Sequence, residues 1–460
     1  MTQTNLNLTR WPAAGPHLVG REAELAQLDA AWQAPDCHLL CLTGEDGLGK
    51  TSLLDHWLRS RPWTDGRVYG WSFYSQGSAA NQNVAADFFI DDALRCLGAE
   101  PDPARGLPWE RGRRLARLLQ QQPGLLLLDG LELLLVDGRL KDPALLALLH
   151  ELSLNNSGLC LLAGRQPLTG LPPTPAVRTL ALPPLTDAAA VTLLRAYDLN
   201  AGEAELRQAG RLCRGRPLAL ALLAGLVQDA WQGDPGRLAE LPPAAGDEVQ
   251  RLLLAWADWL GHSPEQDILR LVGLFLRPTD PAGIRVLRTP PAIEGLTGRL
   301  FSPATEKMLG LWPTQKPWPL PRAAWEAAIE RLRRANLLLP AAPGAGADDV
   351  LDAHPLVRKF FARQLGDTAP RAWYAGHERL YRYYSRTATE TDPGALPEME
   401  PLYTALAHGC RANKAAVALE EVYLKHILRK DEQFSSRRLG AFGADLAGLA
   451  NCFRQPGRRR

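Results

Sequence analysis

Apolar residues along this chain gather first into five short runs, at 38–43, 67–73, 124–129, 158–163 and 177–182. Each run has the length of a strand, and the segments between them, notably 84–97, 110–122 and 143–153, are long enough for helices. Arg21 to Trp32 places apolar residues at helical spacing ahead of the first run, and Thr51 to Leu58 reads as a helix just after it. Strands alternating with helices predict an α/β fold built on a doubly wound parallel sheet. The run Leu125-Leu126-Leu127-Leu128 has no polar alternation, as expected of a central strand covered on both faces.

The pattern changes after Pro183-Pro184. Residues 187–231 are helical, rich in Ala and Leu, and interrupted at Gly215-Arg216-Pro217. A Pro/Gly/Ala stretch at 242–246 marks a boundary. Helices then lead to Ala335–Leu339, a Gly-Ala-Gly-Ala turn at 344–347, Val350–Ala353 and a last helix from Pro355 to Leu365, the sequence of parts in a winged helix. Residues 399–412, 414–428 and 439–452 read as helical hairpins. Such repeats need about three or more units to be stable alone, so this array is expected to be cut short or completed by a partner. The expected domains are a loose lead-in at 1–17, a P-loop domain at 18–184, a small helical domain at 185–246, a winged helix at 247–366 and a helical region at 367–460.

Composition narrows the picture by exclusion. A chain of 460 residues holds about two to four domains. Its net charge of +2 gives no general attraction to nucleic acid or membrane. Seven scattered cysteines with no C-x-x-C pair argue against a disulfide framework or a zinc site and suit a reducing cytoplasm. No apolar run is long enough to span a bilayer; Leu125 to Leu135 is interrupted by Asp129, Gly130 and Glu132.

The most specific chemistry lies at Gly44-Glu-Asp-Gly-Leu-Gly-Lys-Thr51, a complete P-loop between the first strand and its helix. Gly44, Gly47 and Gly49 let successive N–H groups turn inward toward an anion. Lys50 supplies charge to the β and γ phosphates of ATP, Thr51 offers a hydroxyl to Mg²⁺, and Ser52 opens the helix. Leu125–Asp129 is a Walker B strand, with Asp129 a second ligand for Mg²⁺. Glu132, three residues on, is a candidate to orient or deprotonate water, or a helix-start carboxylate with no such role. Arg165 ends the next strand, where it could sense a γ-phosphate. The P-loop alone does not separate a motor, a kinase and a switch.

Further motifs carry a resemblance. Val19-Gly20-Arg21-Glu22, Asp129-Gly130-Leu131-Glu132, Arg165, Gly215-Arg216-Pro217-Leu218-Ala219-Leu220 and Asp352-Ala353-His354-Pro355-Leu356-Val357-Arg358 occur in order over about 18–365. Together they resemble the motifs of STAND-class NTPases, the NB-ARC and NACHT group of signalling ATPases. Gly70 to Gly77 is similar to a strand end of bacterial members. Two motifs depart from the group: Ala163-Gly164 precede the arginine where many relatives carry hydroxyl residues, and Pro355 stands where many eukaryotic relatives have an acidic residue.

The resemblance implies an ATP/ADP switch with slow ATPase activity in bacterial defence or signalling. Val19, Gly20 and Arg21 would line the adenine side, Pro217 would pack on the base, and His354 would reach the β-phosphate of ADP. ATP would release that contact and promote homo-oligomerisation. Fewer than twenty residues precede Val19, so a separate effector or sensor protein is expected. Two rivals stay open. One is a transcriptional regulator touching DNA through Arg331, Arg333 and Arg334; the other is a P-loop phosphotransferase. Nucleic acid, including contact by the tail Gly457-Arg458-Arg459-Arg460, is not the favoured partner.

Overall fold

The computed structural model describes residues 6–63, 67–75, 84–99, 107–172, 174–241, 247–275, 277–302, 318–341, 350–389 and 393–453. Gln76, Gly77, the stretch 242–246, the turn at 344–347 and the basic tail lie outside the described residues. The chain divides into two compact units, one of Met1–Ala14, Gly20–Pro183 and Tyr384–Arg460, the other of Gly15–Val19 and Pro184–Tyr383.

In the first unit the elements run β1 (Leu6–Arg10), α1 (Glu22–Gln33), β2 (Leu39–Thr43), α2 (Lys50–Arg59), β3 (Arg67–Ser72), α3 (Asp87–Cys96), α4 (Pro108–Gln120) and β4 (Gly124–Asp129). A small hairpin of β5 (Leu135–Val136) and β6 (Arg139–Leu140) follows, then α5 (Pro143–Leu154), β7 (Leu159–Gly164) and β8 (Val177–Ala181). Six strands form one sheet in the order β1-β3-β4-β7-β2-β8, with every pairing parallel. The runs of β2, β3, β4 and β7 are buried on both faces, because helices cover each side of a parallel sheet, whereas the edge strand β8 buries only Leu180. Leu39, Cys41, Leu126, Leu128, Cys160 and Leu162 share one core with α3, α4 and α5. Their neighbours Leu40, Leu42, Leu125, Leu127 and Leu161 are buried as well.

All five expected strands are present, and the lead-in contributes a sixth. Residues 6–10 are not a loose tail but the edge strand β1 against β3. Its side chains alternate between apolar Leu6 and Leu8 and polar Asn7 and Thr9, which hid it among polar residues. Arg10 anchors it, donating to Glu400 at 2.8 and 3.3 Å and lying over the Trp71 ring.

The second unit is mostly helical: α6 (Asp187–Ala196), α7 (Glu203–Leu212), α8 (Pro217–Ala230), α9 (Glu248–Leu260), α10 (Pro264–Leu274), α11 (Pro281–Leu287), α12 (Arg322–Arg334), α13 (Pro355–Thr368) and the start of α14 (Pro370–Thr389). A two-residue pair, β9 (Phe301–Ser302) with β10 (Trp318–Pro319), precedes α12. The starts are written in the sequence. Thr186, Asp247, Ser263 and Asp280 accept backbone N–H groups as N-caps, and Pro opens α8, α10, α11 and α13. Leu339 donates to the Asp352 carbonyl at 2.8 Å, pairing the two segments read as wing strands, although neither is a regular strand.

The C-terminal helices return to the first unit. They are α15 (Glu400–Arg411), α16 (Ala415–Ala418), which widens into π-type turns over Leu419–Ile427, and α17 (Phe442–Cys452). They are packed on α3 of the same chain. The Ala444 N–H donates to Asp87 at 2.7 Å, Arg111 reaches the Gly440 carbonyl at 3.4 Å, and Phe88 meets Tyr403 edge to face.

Candidate functional site

The P-loop follows β2 and wraps the start of α2. Gly47 and Gly49 hold left-handed backbone, with φ of 80° and 89°, which a side chain would strain. Gly49 precedes the first residue of α2, so the N–H groups of Lys50, Thr51 and Ser52 open the helix at its positive end. The Gly44 N–H is fixed by the Gly164 carbonyl of β7 at 3.2 Å. Lys50 Nζ donates to the carbonyls of Gly44 at 2.7 Å and Glu45 at 3.0 Å, so its ammonium sits over the loop.

Strand order sets what surrounds it. Because β7 lies between β2 and β4, Arg165 leaves the sheet between the P-loop and the Walker B strand. Thr51 Oγ1 donates to Asp129 Oδ2 at 3.0 Å, and Ser72 Oγ donates to the same oxygen at 3.3 Å. That 3.0 Å is about the spacing of adjacent oxygens on an octahedral Mg²⁺ with ligands at roughly 2.1 Å, so Thr51 and Asp129 fit the ion. Burial, then the charge of Glu132, pushes the Asp129 carboxyl up to about 6, against the pull of Thr51, Lys50 and Ser72.

Glu132 sits in a tight turn opened by Gly130, whose φ is 78°. A Cβ on Gly130 would stand 2.9 Å from the Tyr74 ring, so glycine lets that ring approach. Tyr74 donates its hydroxyl to Glu132 Oε1, while Oε2 is buried without a hydrogen-bond partner among the described residues. Burial raises the Glu132 pKa and the Tyr74 bond partly offsets the rise. Tyr74 is itself pushed far up by burial and then by Glu132, which keeps it protonated as the donor. Arg165 is engaged too: Nε donates to Asp46 Oδ1 at 2.8 Å and Nη2 donates to Asp46 Oδ2.

The structure therefore brings Gly44, Gly47, Gly49, Lys50, Thr51, Ser52, Asp129, Glu132 and Arg165 to one edge of the sheet, beyond the strand ends where ligands of such sheets bind. Gly20 and Arg21 join them. Arg21 is buried, pairs with Glu24 at 3.1 Å and donates to the Leu48 carbonyl of the P-loop at 3.2 Å. Val19, Pro217 and His354 belong to the second unit. There Pro217 opens α8, next to Arg216, which is ion-paired with Glu248 at 3.1 Å. His354 caps α13, its Nδ1 accepting from the Leu356 N–H at 3.2 Å. Tyr74, Ser72 and Asp46 are the additions to the site. Tyr74 and Ser72 stand inside the aromatic strand end and Asp46 at a variable P-loop position, but only the folded sheet reveals their partners.

Comparison of the chain with protein-family models and with curated proteins finds no match. Among solved structures, it resembles the Signal Transduction ATPase with Numerous Domains (STAND) protein with a tetratricopeptide repeat sensor from Pyrococcus horikoshii, at a TM-score of 0.53 and 15% identity. The match covers 95% of this chain and 55% of that one, so the chain spans about half the length of that protein. A Walker-type ATPase of Pyrococcus abyssi matches at a TM-score of 0.36 and 17% identity, over 75% of this chain and 96% of that one. Cdc6p from Pyrobaculum aerophilum matches at 0.35 and 17%, over 78% and 97%. The fold is that of an α/β P-loop NTPase.

Proposed function

We propose that this chain is a nucleotide-controlled switch that binds ATP or ADP with Mg²⁺ and hydrolyses ATP slowly. The observation that supports it most is that both groups suited to act at a γ-phosphate are held by another side chain, Arg165 by Asp46 and Glu132 by Tyr74. A motor or kinase built for turnover would keep them available.

In this reading the P-loop N–H groups and Lys50 bind the phosphates, and Thr51 and Asp129 hold Mg²⁺. The ion supplies charge neutralisation between the phosphate oxygens. Glu132 orients water toward the terminal phosphorus and takes its proton. The water oxygen bonds to that phosphorus as the bond to the β–γ bridging oxygen breaks to release ADP, and Arg165 balances charge on the transferred phosphoryl group. Val19, Gly20, Arg21 and Pro217 serve the base, and His354 the β-phosphate of ADP. The P-loop domain takes in the edge strand β1, and the remaining proposed domains are those expected from the sequence, with 247–366 a winged helix. ATP-dependent self-assembly, a separate effector or sensor partner, and a role in bacterial defence or signalling complete the proposal. A change from ~1:99 to ~99:1 between states requires about 5.5 kcal/mol of differential binding, which is why a trigger besides nucleotide is proposed.

The regulator that touches DNA is disfavoured by one contact set. Arg331, its strongest cation, is held by Asp229 at 2.7 and 2.9 Å and by Glu265 at 2.9 Å. The deciding experiment is to extract and identify nucleotide from the purified protein and to compare its assembly size in ATP and in ADP. Retained ADP and a larger species in ATP are expected. Rapid turnover by a constant monomer would overturn the switch.

A further inference from the structure

We propose that Asp46 sets the balance between ATP and ADP by occupying Arg165 as an internal substitute for a γ-phosphate. The inference rests on reading the P-loop as a nucleotide site and adds a specificity-determining residue to it.

Asp46 meets Arg165 as a fork, each carboxylate oxygen accepting from a different guanidinium nitrogen. This is the geometry in which arginine also binds a phosphate. The carboxylate lies largely buried at 14% side-chain exposure, whereas the arginine is 42% exposed and reachable from solvent. Burial is the largest single influence and would lower the Arg165 pKa, yet the charge and the hydrogen bonding of Asp46, joined by smaller contributions from Tyr74 and Glu132, together raise it.

The consequence differs between the two nucleotides. ADP ends at its β-phosphate and has no group that needs the arginine. ATP brings a γ-phosphate that must take Arg165 from Asp46 and then lie beside the carboxylate it displaced. Asp46 thus lowers affinity for ATP selectively, and the guanidinium exchanges one anion for another at no net gain in ion pairs. A carboxylate that merely repelled phosphates would weaken both nucleotides alike and act whether or not Arg165 were present. Those two properties separate the ideas.

The test compares ADP with a non-hydrolysable ATP analogue, with Mg²⁺, on the full chain and its Asp46→Asn, Arg165→Met and double variants. Asp46→Asn should tighten the analogue by about tenfold, the equivalent of one charge-assisted hydrogen bond, and change ADP by less than about twofold. In the Arg165→Met background the same substitution should leave the ratio of the two affinities within about twofold. An equal shift for both nucleotides, or a shift in the ratio that persists without Arg165, would overturn the proposal. Asp46→Ser, which also lacks the fork, carries the same expectation if the asparagine variant is insoluble. Wild-type protein that binds neither nucleotide would remove the nucleotide-site reading itself. Binding of both with an unchanged ratio in Asp46→Asn would remove only the role of Asp46.

Discussion

Tyr74 donates its hydroxyl hydrogen to Oε1 of Glu132, and the other carboxylate oxygen is buried with no partner among the described residues. The bond draws on the carboxylate's ability to accept a proton from water, because it favours the charged form. Tyr74→Phe removes the bond. ATP turnover should rise by about tenfold at alkaline pH, because Glu132 is released to act as a base. The acidic limb of the rate profile should move to higher pH, since the hydrogen bond that lowered the Glu132 pKa is gone. Steady-state phosphate release across pH measures both. A slower enzyme at every pH would mean that Tyr74 positions the glutamate productively.

Much of the sheet could be read from residues, because an uninterrupted run such as Leu125–Leu128 has few alternatives to a central parallel strand. Helix starts were legible for a similar reason, since Asp142-Pro143 and Ser263-Pro264 each combine a cap with a proline. The strand β1 was not, as a short half-polar edge strand looks like a tail until β3 is beside it. The contacts of Arg165 with Asp46 and of Tyr74 with Glu132 span 119 and 58 residues and follow from strand order, which periodicity does not encode. The docking of α17 depends on Asp87, an acidic residue with the sequence appearance of an ordinary helix start.

Arg21 connects the start of α1 to the nucleotide loop through the Leu48 carbonyl while neutralising Glu24, and both side chains are buried. Arg21→Ala leaves a buried carboxylate without its counterion and should cost about 3 kcal/mol of stability. Adding Glu24→Ala should recover most of that loss. Nucleotide affinity should remain weakened in the double variant, because the loop still lacks its link to Arg21. Denaturant unfolding and nucleotide titration on the three proteins provide the check.

Asp87 and Asp142 face one another where α17 docks. Burial is the main cause that raises both pKa values; their mutual repulsion adds to it at Asp87, and Arg111 and the backbone N–H groups of Gly443, Ala444, Ala86, Ala144 and Leu145 oppose it. Asp91, paired with Arg111, and Tyr403 are the other ionisable groups nearby. The sign follows from proton binding. A carboxyl raised on folding holds a proton that the unfolded chain has released, so its stabilisation is present below the ordinary carboxylate range and is lost as pH rises through the raised value. Attachment of α15–α17 should therefore weaken from mildly acidic toward alkaline pH. Asp87→Asn, which can still accept from Ala444, should flatten that dependence. Hydrogen exchange of the Ala444 amide as a function of pH reports it directly, and an unchanged slope in the variant would refute the role of the Asp87 carboxyl.

His354 has two roles to distinguish. As the cap of α13 its Nδ1 accepts the Leu356 N–H, which requires that nitrogen to be unprotonated. The proton of the neutral ring then resides on Nε2, the tautomer able to donate to a phosphate oxygen. Capping and phosphate contact thus use opposite nitrogens of one ring, and one supports the other. His354→Ala removes both and should cost about 1 kcal/mol of stability from the cap alone. His354→Asn keeps a capping acceptor but is too short to place a donor where Nε2 stands, so its stability should approach that of the parent. If His354 holds the ADP state, both variants should lose ADP faster and assemble at lower ATP concentration. If it only caps the helix, the asparagine variant should match the parent in ADP release and in assembly size, measured by nucleotide exchange and light scattering.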